Sequence, residues 1–327
     1  MKNPNTHKNA NARALKKVNG TLTHNRKTST PKTANLNVPH LKSDARTMLY
    51  GNQDEVAQLI GRIEFKDQWI HVVKGSTWYQ WTGTYWHQDL KAGGFDTIRK
   101  GIRTAIKRMN SWVKQMLRNG GLSNKDQEEL ESDARKADFA KRAKHYISDI
   151  YALVSKDDDY TIAPGAFDAD PNHLGTPEGT VDLTIPDFIS ADPCHYISRQ
   201  TICAPAKGEP DRWLQFLDEI FAGDQGVIDF IQRLCGYALT GQTREEKLFF
   251  LYGSGANGKS KFLETLTYIW NNYATRIAPT TLLNKRFSDH STEIAKLAGA
   301  RLVLGSELPT GEIWDDQKLK ELTGGDT

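Results

Sequence analysis

The sequence is poor in the features that mark secreted or metal-scaffolded chains. Its three cysteines, Cys194, Cys203 and Cys235, are far apart and form no C-x-x-C pair. That argues against a zinc ribbon and a disulfide framework, and it suits a reducing cytoplasm. No apolar run approaches the length of a membrane span, so no membrane association is expected. The N-terminus lacks the apolar core of a secretory signal. Acidic residues are missing from residues 1–43, which hold nine Lys or Arg, while the remainder has 34 basic against 40 acidic residues. The net charge of +3 therefore conceals a basic tail on a mildly acidic body. A polyanion partner and a merely solvated tail both fit that pattern. No internal repeat is visible.

Residues 1–45 are also short of large apolar side chains, being rich in Asn, Thr, Lys and Ala. Such a segment cannot bury enough surface to fold by itself and is expected to be a disordered basic tail. A transit peptide has the same basic, acid-free character. Residues 46–205 read as a smaller α+β domain. Within it, "WYQWTGTYWHQD" (78–89) reads as a hairpin turning at Thr82, Gly83 and Thr84. Its aromatics suit a small hydrophobic core, with base stacking as the alternative. Next, Ile98, Ile102, Ile106, Met109, Val113 and Met116 mark one face of a helix. Arg99, Lys100, Arg103, Lys107, Arg108 and Lys114 accompany them without an acid, as a solvated or a phosphate-binding face. Residues 124–154 form a charged helical stretch expected to be exposed. Asp157, Asp158 and Asp159 read as a loop, since nothing supplies further metal ligands. Residues 175–188 read as turn, strand and turn, and 205–212 as a linker. Two helical patterns follow, through Trp213, Phe216, Leu217, Ile220 and Phe221, then Val227, Phe230, Ile231, Leu234 and Tyr237, ending at Gly241.

The most informative stretch is "FFLYGSGANGKSKF" (249–262). Gly253, Ser254, Gly255, Ala256, Asn257, Gly258, Lys259 and Ser260 complete a G-x-x-x-x-G-K-S pattern. Five apolar residues, 248–252, precede it as an expected buried strand. Phe262, Leu263, Leu266, Ile269, Trp270 and Tyr273 follow at helical spacing. A loop between strand and helix aims backbone N–H groups and the positive helix end at a polyphosphate. Lys259 is placed to reach the β and γ phosphates of ATP, and the Ser260 hydroxyl to sit on Mg²⁺. The plain alternative is a glycine-rich turn with a chance Lys-Ser pair. A nucleotide hydrolase also needs an acid beyond a neighbouring strand. Leu302, Val303 and Leu304 lead to Glu307, a candidate catalytic and Mg²⁺-shell acid.

The segments "GYALTG" (236–241), the Asn257-Gly258-Lys259-Ser260 run, "LAGARLVLGSE" and "KLKELTGGDT" together resemble the superfamily 3 helicase module of phage/plasmid-type, poxvirus-type primase-helicases. "EGTVDL" and the 78–86 hairpin resemble the domain that precedes this helicase, so the resemblance covers roughly residues 50–327. It implies a truncated, AAA+-like α/β P-loop ATPase core over residues 206–327, entered through a helical lead-in. It also implies a homo-oligomeric, usually hexameric ring that hydrolyses ATP between subunits and pulls single-stranded DNA through its centre. A primase or origin-binding protein would be a further partner, in the cytoplasm of a bacterial host carrying a phage or mobile element. By the same likeness, residues 253–260 match the phosphate loop and Glu307 the acid of the second motif. Lys318, Lys320, Gly324 and Gly325 match the start of the third, where paired lysines on a turn would touch DNA phosphates. No primase site is visible. The family's sensing Asn and its arginine finger, worth about 10³–10⁵ in rate, fall beyond Thr327. A weakly active ATP- and DNA-binding fragment is thus one alternative. A non-motor phosphotransferase is another, although Arg276 and Arg286 between the loop and Glu307 sit in no recognisable lid pattern.

Overall fold

The computed structural model describes residues 38–253, 255–283, 294–305 and 311–324. The chain divides into two compact units, Met1–Asp44 and Ala45–Thr327, the first described only from Val38 onward.

Helix α1, Val38–Tyr50, starts inside the segment expected to be disordered. The reason is local: Val38, Leu41, Ala45 and Met48 recur at helical spacing, and Ala45, Met48 and Leu49 are buried. Helix α2, Gln53–Glu64, opens with a reciprocal capping box. The Asn52 side chain accepts from the Glu55 N–H at 2.9 Å, and the Glu55 carboxylate accepts from the Asn52 N–H at 2.9 Å. Two of the helix's orphan donors are satisfied this way.

Strands β1 (Trp69–Val72), β2 (Thr77–Trp81), β3 (Trp86–Gln88) and β4 (Thr161–Ile162) form a sheet in the order β3-β2-β1-β4. The predicted hairpin is β2–β3, with Trp81 opposite Trp86. Its aromatics fill the core as expected: Trp78 is buried with Phe65, Trp69 and Tyr160, and the Phe65 and Trp78 rings meet edge to face at 5.0 Å. Such contacts add about 0.5–1.5 kcal/mol beyond area burial.

Helix α3, Gly93–Arg118, is the long helix that the apolar periodicity predicts. Ile98, Ile102, Ile106, Met109 and Val113 all face the core, while Met116 is half-buried. Full burial of such a side chain stabilises by roughly 1.5–3 kcal/mol. The charged stretch 124–154 resolves into α4 (Asn124–Lys141) and α5 (Lys144–Val154). Only α4 is largely exposed. Ile147, Ile150 and Val154 of α5 are buried in the same core, which corrects the expectation of an exposed stretch. The three-aspartate run forms a 3-10 turn in which the Asp157 side chain accepts from the Asp159 N–H.

The 175–188 segment belongs to an antiparallel meander rather than one strand. β5 (His173–Thr176), β6 (Gly179–Asp182) and β7 (Asp187–Ile189) pair in that order. Helices α6 (Asp211–Ile220) and α7 (Gln225–Leu239) follow. Helix α8 (Lys259–Trp270) then leads into β8 (Ala274–Ile277), which pairs in parallel with β9 (Leu302–Gly305). The last described helix is α9, Asp316–Gly324.

Candidate nucleotide-binding site

Residues 255–258 form a bend that runs directly into α8. Gly258, the residue before the helix, has φ +83°. A Cβ there would come within 2.4 Å of Ile220 Cγ2, so both backbone sign and space demand glycine. Gly255 (φ +86°) and Ala256 (φ +48°) also take left-handed conformations. No side chain caps the start of α8. The first N–H groups of a helix have no intrahelical acceptor, and together with the helix dipole they favour an anion. Lys259 folds back over the loop, donating to Asn257 Oδ1 at 2.7 Å and to the Gly253 carbonyl at 3.3 Å. Its ammonium is thus drawn back onto the turn, with the residue half-buried. Ser260 is exposed at the first turn.

The loop rests on α6 and α7. Trp213 stacks on Phe262 at 5.7 Å with the rings 17° apart, and Leu217, Ile228, Phe262 and Leu266 form a buried cluster beneath α8. The far end of α8 is fastened to the meander and the strand-like segment after it. Tyr273 Oη accepts from the Gly175 N–H at 2.9 Å and donates to the Arg199 carbonyl at 3.0 Å. Burial lifts its phenol to about 12. Arg301 lies over the Tyr273 ring at 4.7 Å and donates to the carbonyls of His173 and Leu239. Arg199 donates to the carbonyls of Asn272 and Ala298. This cluster has no local sequence pattern, because its hydrogen bonds join positions 62–128 apart. Next to it opens a cavity of about 430 Å³, lined by Asp168, Thr240, Arg244 and Arg301 among others. It lies where the chain enters residues 248–252, whereas the phosphate loop lies where the chain leaves them.

Several expected features are placed differently. Residues 248–252 form no strand. Leu248, Phe249, Phe250, Leu251 and Tyr252 are all exposed, Phe250 at 67% and Tyr252 at 92%. Five apolar residues in a row suit a strand covered on both faces, and among the described residues no strand pairs with them. Strand β9 does form where expected, but Glu307 lies outside the described residues, as do Ser254, Arg286 and Gly325. Lys318 and Lys320 stand on α9, not on a turn. Two positions apart on a helix, they do not share a face. Among the described residues no group of three or more His, Cys, Asp or Glu could hold a metal ion, and no helix is long and apolar enough to cross a membrane.

A family model bears on the region in front of the loop. Residues 58–222 match the family model described as D5 N terminal like, which runs from α2 through α6. A 106-residue segment, 32% of this chain, is 34% identical to a protein of Acanthamoeba polyphaga mimivirus named "Putative helicase L207/L206". The match spans 11% of that relative's length. The family model covers more than half of the sequence, so the chain belongs to the D5 N terminal like family, a family tied to primase-helicases.

Proposed function

We propose that this chain is the nucleotide-binding part of an ATP-dependent DNA helicase of the superfamily 3 type, built on an α/β P-loop core. The observation that carries the reading is the loop of residues 253–260. A glycine that tolerates no Cβ opens an uncapped helix, and a lysine ammonium is held inside the turn by a carbonyl and an amide oxygen. These residues fit a polyphosphate. Its oxygens would replace Gly253 and Asn257 as partners of Lys259, and the free N–H groups of the first turn of α8 would hold the α and β phosphates. Mg²⁺, held at the Ser260 hydroxyl, would neutralise charge on the β and γ oxygens, with Glu307, after β9 in sequence, as the candidate acid of its shell. Lys259 lowers the cost of charge on the transferred phosphoryl group, and the close packing of Gly258 on Ile220 fixes the loop's position. Membership of the D5 N terminal like family and the name of the mimivirus relative support DNA as the track. Assembly into a homo-oligomeric ring on single-stranded DNA belongs to the same proposal.

A second reading is favoured by the unpaired 248–252 run. A phosphate loop whose leading segment is not pinned in a sheet holds a nucleotide more readily than it aligns one for hydrolysis. One assay separates the two. ATP hydrolysis by the full chain is measured with and without single-stranded DNA, beside Lys259→Ala. DNA-stimulated turnover that disappears in the variant supports the motor. Lys259-dependent binding without turnover supports the holding role. Turnover indifferent to Lys259 contradicts both.

A further inference from the structure

Helix α3 carries a charge pattern that the nucleotide site does not use. From residue 97 to residue 125 the sequence holds eight Lys or Arg and no acid. Four of them, Arg103, Lys107, Lys114 and Arg118, follow one another at spacings of four, seven and four residues. Such spacings place them on a single face of the helix. That face is opposite the one formed by Ile98, Ile102, Ile106 and Met109, which is fully buried. All four cations are exposed. At 1.5 Å per residue the row is roughly 22 Å long.

Four carboxylates of α3 and α4 pair with other cations. Asp96, at the start of α3, pairs with Arg99 and Lys100. On α4, Glu131 pairs with Arg135, Asp133 with Lys136, and Asp138 with Arg142. Asp138 also accepts from Asn110 at 2.8 Å, the contact that joins α3 to α4. Among the described residues no carboxylate lies within 4 Å of Arg103, Lys107, Lys114 or Arg118. An unneutralised row of like charges is unfavourable by itself, and a polyanion relieves it. Asn110 lies in the row between Lys107 and Lys114 and carries the bond to Asp138, and Thr104, Ser111 and Gln115 flank it, offering hydrogen bonds but no ring for a base to stack on. A phosphate backbone suits such a face better than an exposed base does. A duplex presents its phosphates outward in a regular line with its bases covered, whereas single strands are held largely through stacking.

We propose that the outer face of α3 binds the phosphate backbone of duplex nucleic acid, without reading its sequence, through Arg103, Lys107, Lys114 and Arg118. This site is separate from the ATP-driven handling of single strands and does not depend on it. The test is fluorescence anisotropy of the full chain with a labelled 30-base-pair duplex and a single strand of equal length, over a range of salt. The variant replaces all four residues by Gln, and a control variant makes Lys125→Gln, Arg135→Gln, Lys136→Gln and Arg212→Gln, removing the same charge elsewhere. The basic tail is present in every protein and contributes equally. Each phosphate neutralised adds about 0.9 to the slope of log affinity against log salt, so losing four contacts should flatten it by up to about 3.6. The expected result is that flattening, with a fall of at least tenfold in duplex affinity at low salt, and a much smaller effect in the control. Single variants, each costing up to about 0.9 in slope, give the same answer if the fourfold variant misfolds. The proposal is overturned if slope and affinity are unchanged, if the control loses as much, or if single-strand binding falls while duplex binding does not.

Discussion

The two ends of the described chain treat apolar residues in opposite ways. Between α1 and β4, apolar side chains converge on one core that includes Met48, Phe65, Ile106, Met109 and Ile150, all fully buried. Around the phosphate loop the buried cluster is small, and Phe250, Tyr252 and Ile313 are exposed. Both ends are rich in the same residue types. The difference is whether elements lie on every side of them. The first region is a helix-and-sheet unit that closes on itself. The second offers a line of apolar residues that no described strand covers, beside a two-stranded parallel sheet that is marginal by itself. Folding energy is thus concentrated away from the residues to which nucleotide binding is assigned by the proposal.

The most severe way to probe that contrast is a pair of substitutions. Ile106→Ala removes atoms from a fully buried site and should cost about 2–5 kcal/mol in denaturant unfolding. Phe250→Ser removes a largely exposed ring that meets Trp314 edge to face at 5.6 Å and should cost no more than about 1.5 kcal/mol, while reducing self-association seen by light scattering. If Phe250→Ser proves as damaging as Ile106→Ala, the 248–252 run is buried and the contrast fails.

A middle-sized effect is expected at the junction between the two regions. Tyr273→Phe keeps the ring under Arg301 but removes the acceptor of the buried Gly175 N–H. An unsatisfied buried donor costs about 1–3 kcal/mol. The loss should be visible by calorimetry without change in nucleotide affinity. An affinity that falls in proportion would instead mean that the far end of α8 sets the geometry of its phosphate-binding end.

The smallest effect concerns Glu64. Burial pushes its carboxyl up from the usual range, with Arg108 opposing. A raised folded value means the folded state holds its proton more tightly. Glu64 therefore weighs against folding once pH rises past that folded value, and not below the usual carboxylate range. Glu64→Gln should be slightly more stable than wild type at neutral pH, and the gap should close as pH falls through the acid range. A gap that persists at low pH would assign the effect to packing against Gly101, which Glu64 adjoins.

What could be read from the residues follows from the range of the interactions concerned. Helix α3 was legible because its apolar face repeats over 26 residues. The tight turn into α8 was legible because Gly258 carries its geometry locally, whereas phosphate binding at Lys259 and Ser260 is part of the proposal. Residues 248–252 have the composition of a strand, yet a strand exists only with a partner, and composition says nothing of where the partner is. The start of α1 at Val38 was hidden by the Asn- and Lys-rich residues before it. The burial of α5 was hidden by the many charges of α4. The cluster of Tyr273, Arg199 and Arg301 had no sequence signal at all, since it joins positions brought together only by the fold.

The most direct test of the account is calorimetric titration of Mg-ATP into the full chain and into Lys259→Ala. The account predicts one saturable site in the wild type, lost in the variant while its unfolding curve stays the same. No binding in the wild type, or equal binding in the variant, would contradict the claim that residues 253–260 hold the nucleotide.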